Sequence, residues 1–195
     1  KMVPFAGYER PVWFSSLKEE HFAVRNSVGA FDISHMGVLL FSGPNARAFV
    51  QKVSCNNLEK HDTDKMIYSM ILNEEGGILD DVMMATFGER VIMVVNSSNK
   101  EKLMAWFETV GLDGVEVENV SQTHGFIAVQ GPESIEACEK ALSVPLSNYK
   151  PFEVWAQDIL GANCIVMRTG YTGELGCEIV VPKTKIDRVW DALID

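Results

Sequence analysis

Two adjacent carboxylates, Asp80 and Asp81, sit in the stretch Gly76-Gly77-Ile78-Leu79-Asp80-Asp81-Val82-Met83-Met84. A strand that begins after the two glycines alternates its side chains. It places Asp80 with Ile78, Val82 and Met84 on one face, and Asp81 with Leu79, Met83 and Ala85 on the other. Whichever face is buried, one carboxylate goes with it and needs a partner. A bound ligand is one such partner. A hydrated hairpin end with both aspartates in water is the other reading, and the residues alone leave both open.

A second candidate is Arg168-Thr169-Gly170-Tyr171-Thr172-Gly173-Glu174-Leu175-Gly176-Cys177-Glu178-Ile179. Three glycines at three-residue intervals invite comparison with a phosphate loop. A strand follows them, however, where a dinucleotide fingerprint opens a helix, so phosphate binding is disfavoured. The glycines allow backbone to approach a flat ligand, with Tyr171 beside it and Glu178 on the returning strand. A tight glycine-rich hairpin without a ligand accounts for the same residues.

Metal and nucleophile chemistry find no support. His35 is a lone histidine between apolar stretches, which reads as a hydrogen-bonded structural residue. His21, His61 and His124 give no His-x-x-x-His spacing, and Cys55, Cys138, Cys164 and Cys177 contain no Cys-x-x-Cys pair. Neither a Gly-x-Ser-x-Gly elbow nor a P-loop occurs.

The elements that must position these residues are mostly strands. Met66 to Leu72, Ile78 to Phe87, Val91 to Val95, Val115 to Val120, Asn163 to Arg168 and Cys177 to Val181 read as strands separated by turn signals. Ser98 to Val110 reads as a helix with Leu103, Trp106, Phe107 and Val110 inward. Lys185 to Ile194 is a second, with Ile186, Val189, Trp190 and Leu193 on one face. One pattern recurs: Gly37 to Val53 and Gly125 to Ala141, which start 88 residues apart, both run strand, Gly-Pro, amphipathic helix. The expected class is α+β with antiparallel sheets and packed helices. The order around residues 37 to 129 fits a ferredoxin-like split β-α-β unit.

The 195 residues are 47% apolar and carry a formal net charge of -10, a field that repels polyphosphate and argues against nucleic acid as partner. No apolar run approaches the roughly 18 residues of a membrane span, and no signal-peptide pattern opens the chain. Reduced cysteines suit an intracellular protein, and the expected compartment is the cytoplasm, or mitochondria if eukaryotic. An apolar helical stripe still running at the last residue suggests a chain that continues further.

Taken together, Lys1-Met-Val-Pro-Phe-Ala-Gly7, Phe31-Asp-Ile-Ser-His-Met-Gly37, Leu72-Asn-Glu-Glu-Gly-Gly-Ile-Leu-Asp-Asp81, Val129-Gln-Gly-Pro132 and Arg168-Thr-Gly-Tyr-Thr-Gly173 resemble the folate-binding T-protein family. The Asp-Ile-Ser-His-Met-Gly stretch resembles its aminomethyltransferase branch, which serves glycine cleavage. The resemblance implies a tetrahydrofolate-dependent transferase with lipoylated H-protein as partner. Such enzymes move the methylene of a lipoyl-bound aminomethyl group to the folate and release ammonia.

The same resemblance implies Asp81 as the catalytic residue, in a low-dielectric pocket beside the folate, and Glu178 as the pterin-holding glutamate. It implies Tyr171, Tyr68, Met36 and Leu40 as pocket-lining residues, and Asn96 as pocket-facing. Arg10 and Arg168 are candidates to attract the anionic folate tail. It further implies folate-binding domain segments over 1–36 and 121–195, a ferredoxin-like domain over 37–120, and a carboxy-terminal β-domain absent from this chain. Two departures stand out: Ala85 replaces a frequent pocket tyrosine, and Glu174-Leu175-Gly176-Cys177-Glu178 replaces Glu-Asp-Gly-Phe-Glu. Two other readings stay open at this point, a folate-dependent demethylase and a folate-binding module without transferase activity. Gly170 stands where the iron–sulfur maintenance members carry cysteine, which counts against the module.

Overall fold

The computed structural model describes residues 1–5 and 7–195; Ala6, inside the amino-terminal motif, lies outside the described residues. In chain order the elements begin β1 (Met2–Phe5), β2 (Tyr8–Pro11), α1 (Leu17–Asn26), β3 (Gly29–Asp32), β4 (Gly37–Ser42) and α2 (Ala46–Val53). They continue β5 (Ile67–Leu72), β6 (Ile78–Phe87), β7 (Arg90–Val95), α3 (Lys100–Val110) and β8 (Glu116–Asn119). Then come β9 (His124–Gln130), α4 (Ser134–Leu142), β10 (Val154–Ile159), β11 (Ala162–Met167), β12 (Gly176–Pro182) and α5 (Ile186–Ile194). Two units result, residues 36–122 and residues 1–35 with 123–195. Met36, Ser121 and Gln122, which the sequence assigns to the flanking segments, fall in the middle unit.

The middle unit is one antiparallel sheet in the order β5-β6-β7-β4-β8. Without β5 this is the ferredoxin-like order, and β5 extends it at one edge. The closing strand is β8, not the strand ending near residue 129. Residues Glu116 to Asn119 already occupy the free edge of β4, and β9 starts the other sheet. Helices α2 and α3 cover one face, where Phe49, Val50, Val53, Leu103 and Phe107 meet Leu39, Phe41, Val82, Met84 and Met93. Phe107 lies edge-on to Phe41 and to Phe49, with centroids at 5.4 and 5.7 Å. Phe107→Ala is expected to cost about 3–5 kcal/mol, read as a lower denaturant midpoint with an unchanged slope.

The other unit has the sheet order β10-β11-β12-β9-β3, again antiparallel throughout, beside the separate β1-β2 pair. Helices α4 and α5 cover one face through Cys138, Leu142 and Val189, against Ile127, Val129, Val166, Ile179 and Val181. Helix α1 starts at Ser16, whose hydroxyl accepts the Glu19 N–H, while Glu20 accepts the N–H groups of Phe14, Ser15 and Ser16. It buries no residue. A helix held by its cap leaves no apolar stripe to read in a sequence, which is why α1 escapes a periodicity search.

The two sheets repeat each other strand for strand. Leu39 pairs with Met93 and Asn119; 88 residues later Ile127 pairs with Ile179 and Asp32. The edge place filled by β8 after α3 in one unit is filled in the other by β3, which precedes the whole repeat. Each Gly-Pro step turns strand into helix through a glycine at positive φ, Gly43 at 100° and Gly131 at 136°. A Cβ on either would press into a neighbouring backbone carbonyl, that of Gly114 or of Ser27.

Candidate active site

Asp80 and Asp81 lie on opposite faces of β6, and the structure decides which is buried. Asp80 shares the helix-covered face with Val82 and Met84 and is 3% exposed. Its Oδ2 accepts the Asn96 backbone N–H at 3.0 Å; its Oδ1 accepts the Asn96 amide at 2.9 Å and the Asn99 amide. The partner of the buried carboxylate is therefore the chain that follows β7, not a ligand.

Asp81 points the other way and is exposed rather than set in an apolar enclosure. The strand's alternation, with Asp81 opposite Met70 near the hairpin end, puts it on the helix-free face. Its Oδ1 accepts the Asn96 amide at 2.9 Å and its Oδ2 the Tyr68 hydroxyl at 3.2 Å. Leu40 shares this face: Leu40 pairs with Ile92, and Ile92 with Ala85, two residues from Met83 and four from Asp81. Met36 immediately precedes β4 and is half-buried. Within this unit the structure thus gathers Tyr68 and Asn96 onto Asp81 and leaves Leu40 along the same face.

In the other unit Glu178 also lies on the helix-free face, in a cross-strand row with Met167, Ala128 and Phe31. It is half-buried, and burial pushes its carboxyl up from the usual range, opposed by the hydrogen bond from Thr169. The Thr169 hydroxyl donates to Oε2. Oε1 has no protein partner among the described residues. Tyr171 is fully exposed and is not brought to Glu178. It lines a groove of about 610 Å³ with Val12, Phe14, Leu17, Val24 and Phe31, which excludes Glu178.

The glycines of this loop serve a residue that motif reading overlooks. Gln130, at the end of β9, is buried; its amide donates to the carbonyls of Val129, Thr169 and Cys177 and accepts the Thr172 hydroxyl at 3.0 Å. A Cβ at Gly170 or Gly176 would collide with that amide. The close approach is to a side chain of the protein itself, and through Thr169 it fixes the hydroxyl that holds Glu178. The available signal was a glutamine closing an otherwise apolar strand, Gly125 to Gln130. Gln130→Leu keeps the volume but orphans buried acceptors, so a loss of about 2–3 kcal/mol is expected, measured by thermal unfolding.

Neither arginine is free. Arg168 donates to the carbonyls of Leu146 and Tyr149, and Arg10 engages His35 Nδ1 and the Asp32 carbonyl. His35, edge-on to Phe5, is thereby tied into its surroundings. The four cysteines are free thiols; burial pushes Cys164 up to about 12. Among the described residues no cluster of three or more His, Cys, Asp or Glu is placed to hold a metal, and no helix is long and apolar enough to cross a membrane.

The GCVT N-terminal domain family model matches residues 1–195. Proteins named aminomethyltransferase from Exiguobacterium sibiricum and Alkaliphilus oremlandii are each 41% identical over the whole chain, which covers 54% of each. The chain spans about half the length of the curated relatives it matches. A crystal structure of glycine cleavage system aminomethyltransferase T from Bartonella henselae superposes with a TM-score of 0.92 at 28% identity, covering all of this chain and 53% of that one. A heterotetrameric sarcosine oxidase chain from Corynebacterium sp. shares the fold at a TM-score of 0.63 and 12% identity, with 91% of this chain and 89% of that one covered.

Proposed function

The chain belongs to the GCVT N-terminal domain family, and from that premise we propose that it is the folate-handling portion of an aminomethyltransferase of glycine cleavage. Its donor is the lipoyl arm of H-protein bearing an aminomethyl group, its acceptor is tetrahydrofolate, and ammonia leaves. The observation that carries this reading is the convergence of Tyr68 and Asn96 on the Asp81 carboxylate. A carboxylate gripped on both oxygens is oriented before any ligand arrives, which is the requirement for charge stabilisation without reorganisation.

The chemistry of Glu178 fits the edge of a reduced pterin. Glu178 offers one carboxylate oxygen that none of the described residues pairs, suited to an N–H donor on a pterin edge, while Thr169 holds the other. Tetrahydrofolate, when bound, supplies the nitrogens that take up the one-carbon unit. Asp81 orients that reacting end, holds negative charge against the positive charge that develops on the transferred carbon, and assists the proton on the reacting nitrogen. Leu40 and Met36 supply flexible apolar surface, and Tyr171 offers a flat ring in the groove it shares with Phe14 and Phe31. We assign the protein to the cytoplasm, or to mitochondria if eukaryotic, with no nucleic-acid or membrane partner.

Calorimetric titration with 5-methyl-tetrahydrofolate tests the reading, and heat of binding is expected. No heat from the folded protein overturns it. With lipoylated H-protein bearing the adduct, ammonia is expected; binding of folate without ammonia release points to a demethylating relative instead.

A further inference from the structure

The sequence pairs Asp80 with Asp81, yet the structure sets them on opposite faces of β6, and the buried one is occupied by Asn96 and Asn99. We propose that Asp80 is a positioning residue that sets the Asp81 carboxylate through the side-chain amide of Asn96. The proposal deepens the reading of Asp81 above and rests on it for its functional consequence.

The geometry leaves Asn96 little choice. An asparagine amide has one acceptor end and one donor end of nearly equal shape, so its neighbours decide which way it faces. The Asn96 donor end lies 2.9 Å from Asp80 Oδ1 and 2.9 Å from Asp81 Oδ1, and 3.1 Å from the Asp81 carbonyl. Asp80 can only accept. Its Oδ2 is occupied by the Asn96 backbone N–H, which pins the residue at its root, and Oδ1 also receives Asn99 at the start of α3. A buried acceptor with no counter-cation among these contacts therefore keeps the Asn96 donor end turned inward, where the same NH2 group reaches Asp81. Reversed, the amide would set its oxygen against two carboxylates. The Tyr68 hydroxyl then completes the grip on Asp81 from β5.

Asp80→Asn preserves shape but introduces a donor where at least one of three donors already points. Three variants of the protein, Asp80→Asn, Asn96→Ala and the double change, form a cycle with wild type. The first readout needs no folate. In wild-type protein the Asn96 side-chain NH2 resonances are expected to exchange slowly, and in Asp80→Asn they are expected to exchange about tenfold faster or more. The second readout is one-carbon transfer: each single change is expected to lower kcat by about tenfold with KM little moved, and the double change to add nothing to Asn96→Ala.

Unchanged Asn96 exchange in Asp80→Asn overturns the proposal, as does full additivity in the cycle. Should Asp80→Asn fail to fold, Asn99→Ala removes the second side-chain donor that holds Asp80 Oδ1 and is expected to speed Asn96 exchange; no change there overturns the proposal too. Faster Asn96 exchange in Asp80→Asn together with a wild-type protein that binds no folate defeats the proposed function while leaving the amide's orientation by Asp80 in place.

Discussion

Asp81→Asn is expected to leave 5-methyl-tetrahydrofolate affinity within about threefold of wild type and to lower turnover with aminomethylated H-protein by about 100-fold or more. The substitution keeps the side chain's size and keeps one oxygen to accept from either Tyr68 or Asn96, so the neighbouring side chains stay where they are. What it removes is negative charge, and it turns an amide N–H toward either Tyr68 or the Asn96 amide. A loss of this size corresponds to one preorganised electrostatic partner of the transition state. Turnover kept in Asp81→Asn, with affinity also kept, would show that the carboxylate is not the catalytic group. Equal losses of affinity and turnover would make it a binding residue only. Exposure on the helix-free face also means that the substitution should leave the melting temperature nearly unchanged, which separates chemistry from folding.

Glu178→Gln is expected to do the reverse, weakening folate binding by about 30-fold or more while raising stability at neutral pH. Burial raises this carboxyl in the folded protein and the Thr169 hydroxyl only partly offsets that. A group raised on folding contributes its full share of stability below the ordinary carboxylate range and loses it as pH rises through the raised value. Above the raised value wild type therefore bears the cost of a desolvated charge, and the glutamine variant does not. The gap in melting temperature between them should close as pH falls below about 4. Wild-type folate affinity should fall over the same descent, because a protonated carboxyl accepts pterin N–H bonds less well. A glutamine variant that melts lower than wild type at pH 7 would mean that the carboxylate stabilises the sheet, and the ligand-binding assignment would lose its physical basis.

The duplication explains why a function-bearing residue is hard to find by comparing the halves. In matched register Asp81 corresponds to Asn163, and Glu178 to Ile92. The repeat conserves the turns and the apolar pairs that build a sheet, and each half has placed its acid at a different position on the helix-free face.

What the amino-acid sequence determined by itself was whatever depends on neighbours along the chain. The strands Ile78–Phe87 and Arg90–Val95, the stripe of Leu103 and Phe107, the amphipathic α5 and the two Gly-Pro steps are all set by alternation, helical period and turn chemistry, which act over a few residues. Tertiary structure decided the rest. Alternation shows that Asp80 and Asp81 face opposite ways, but only the packing of α2 and α3 selects the buried one, and only the turn after β7 brings Asn96 and Asn99 to it. Gly170 and Gly176 look the same whether they admit a ligand or Gln130, because the side chain that fills the space comes from about forty residues earlier. Strand β3 closes a sheet whose other members begin after residue 123, and no local pattern announces that partner. A carboxylate's role follows from which donors and which dielectric surround it, and those are supplied by chain segments that meet only on folding.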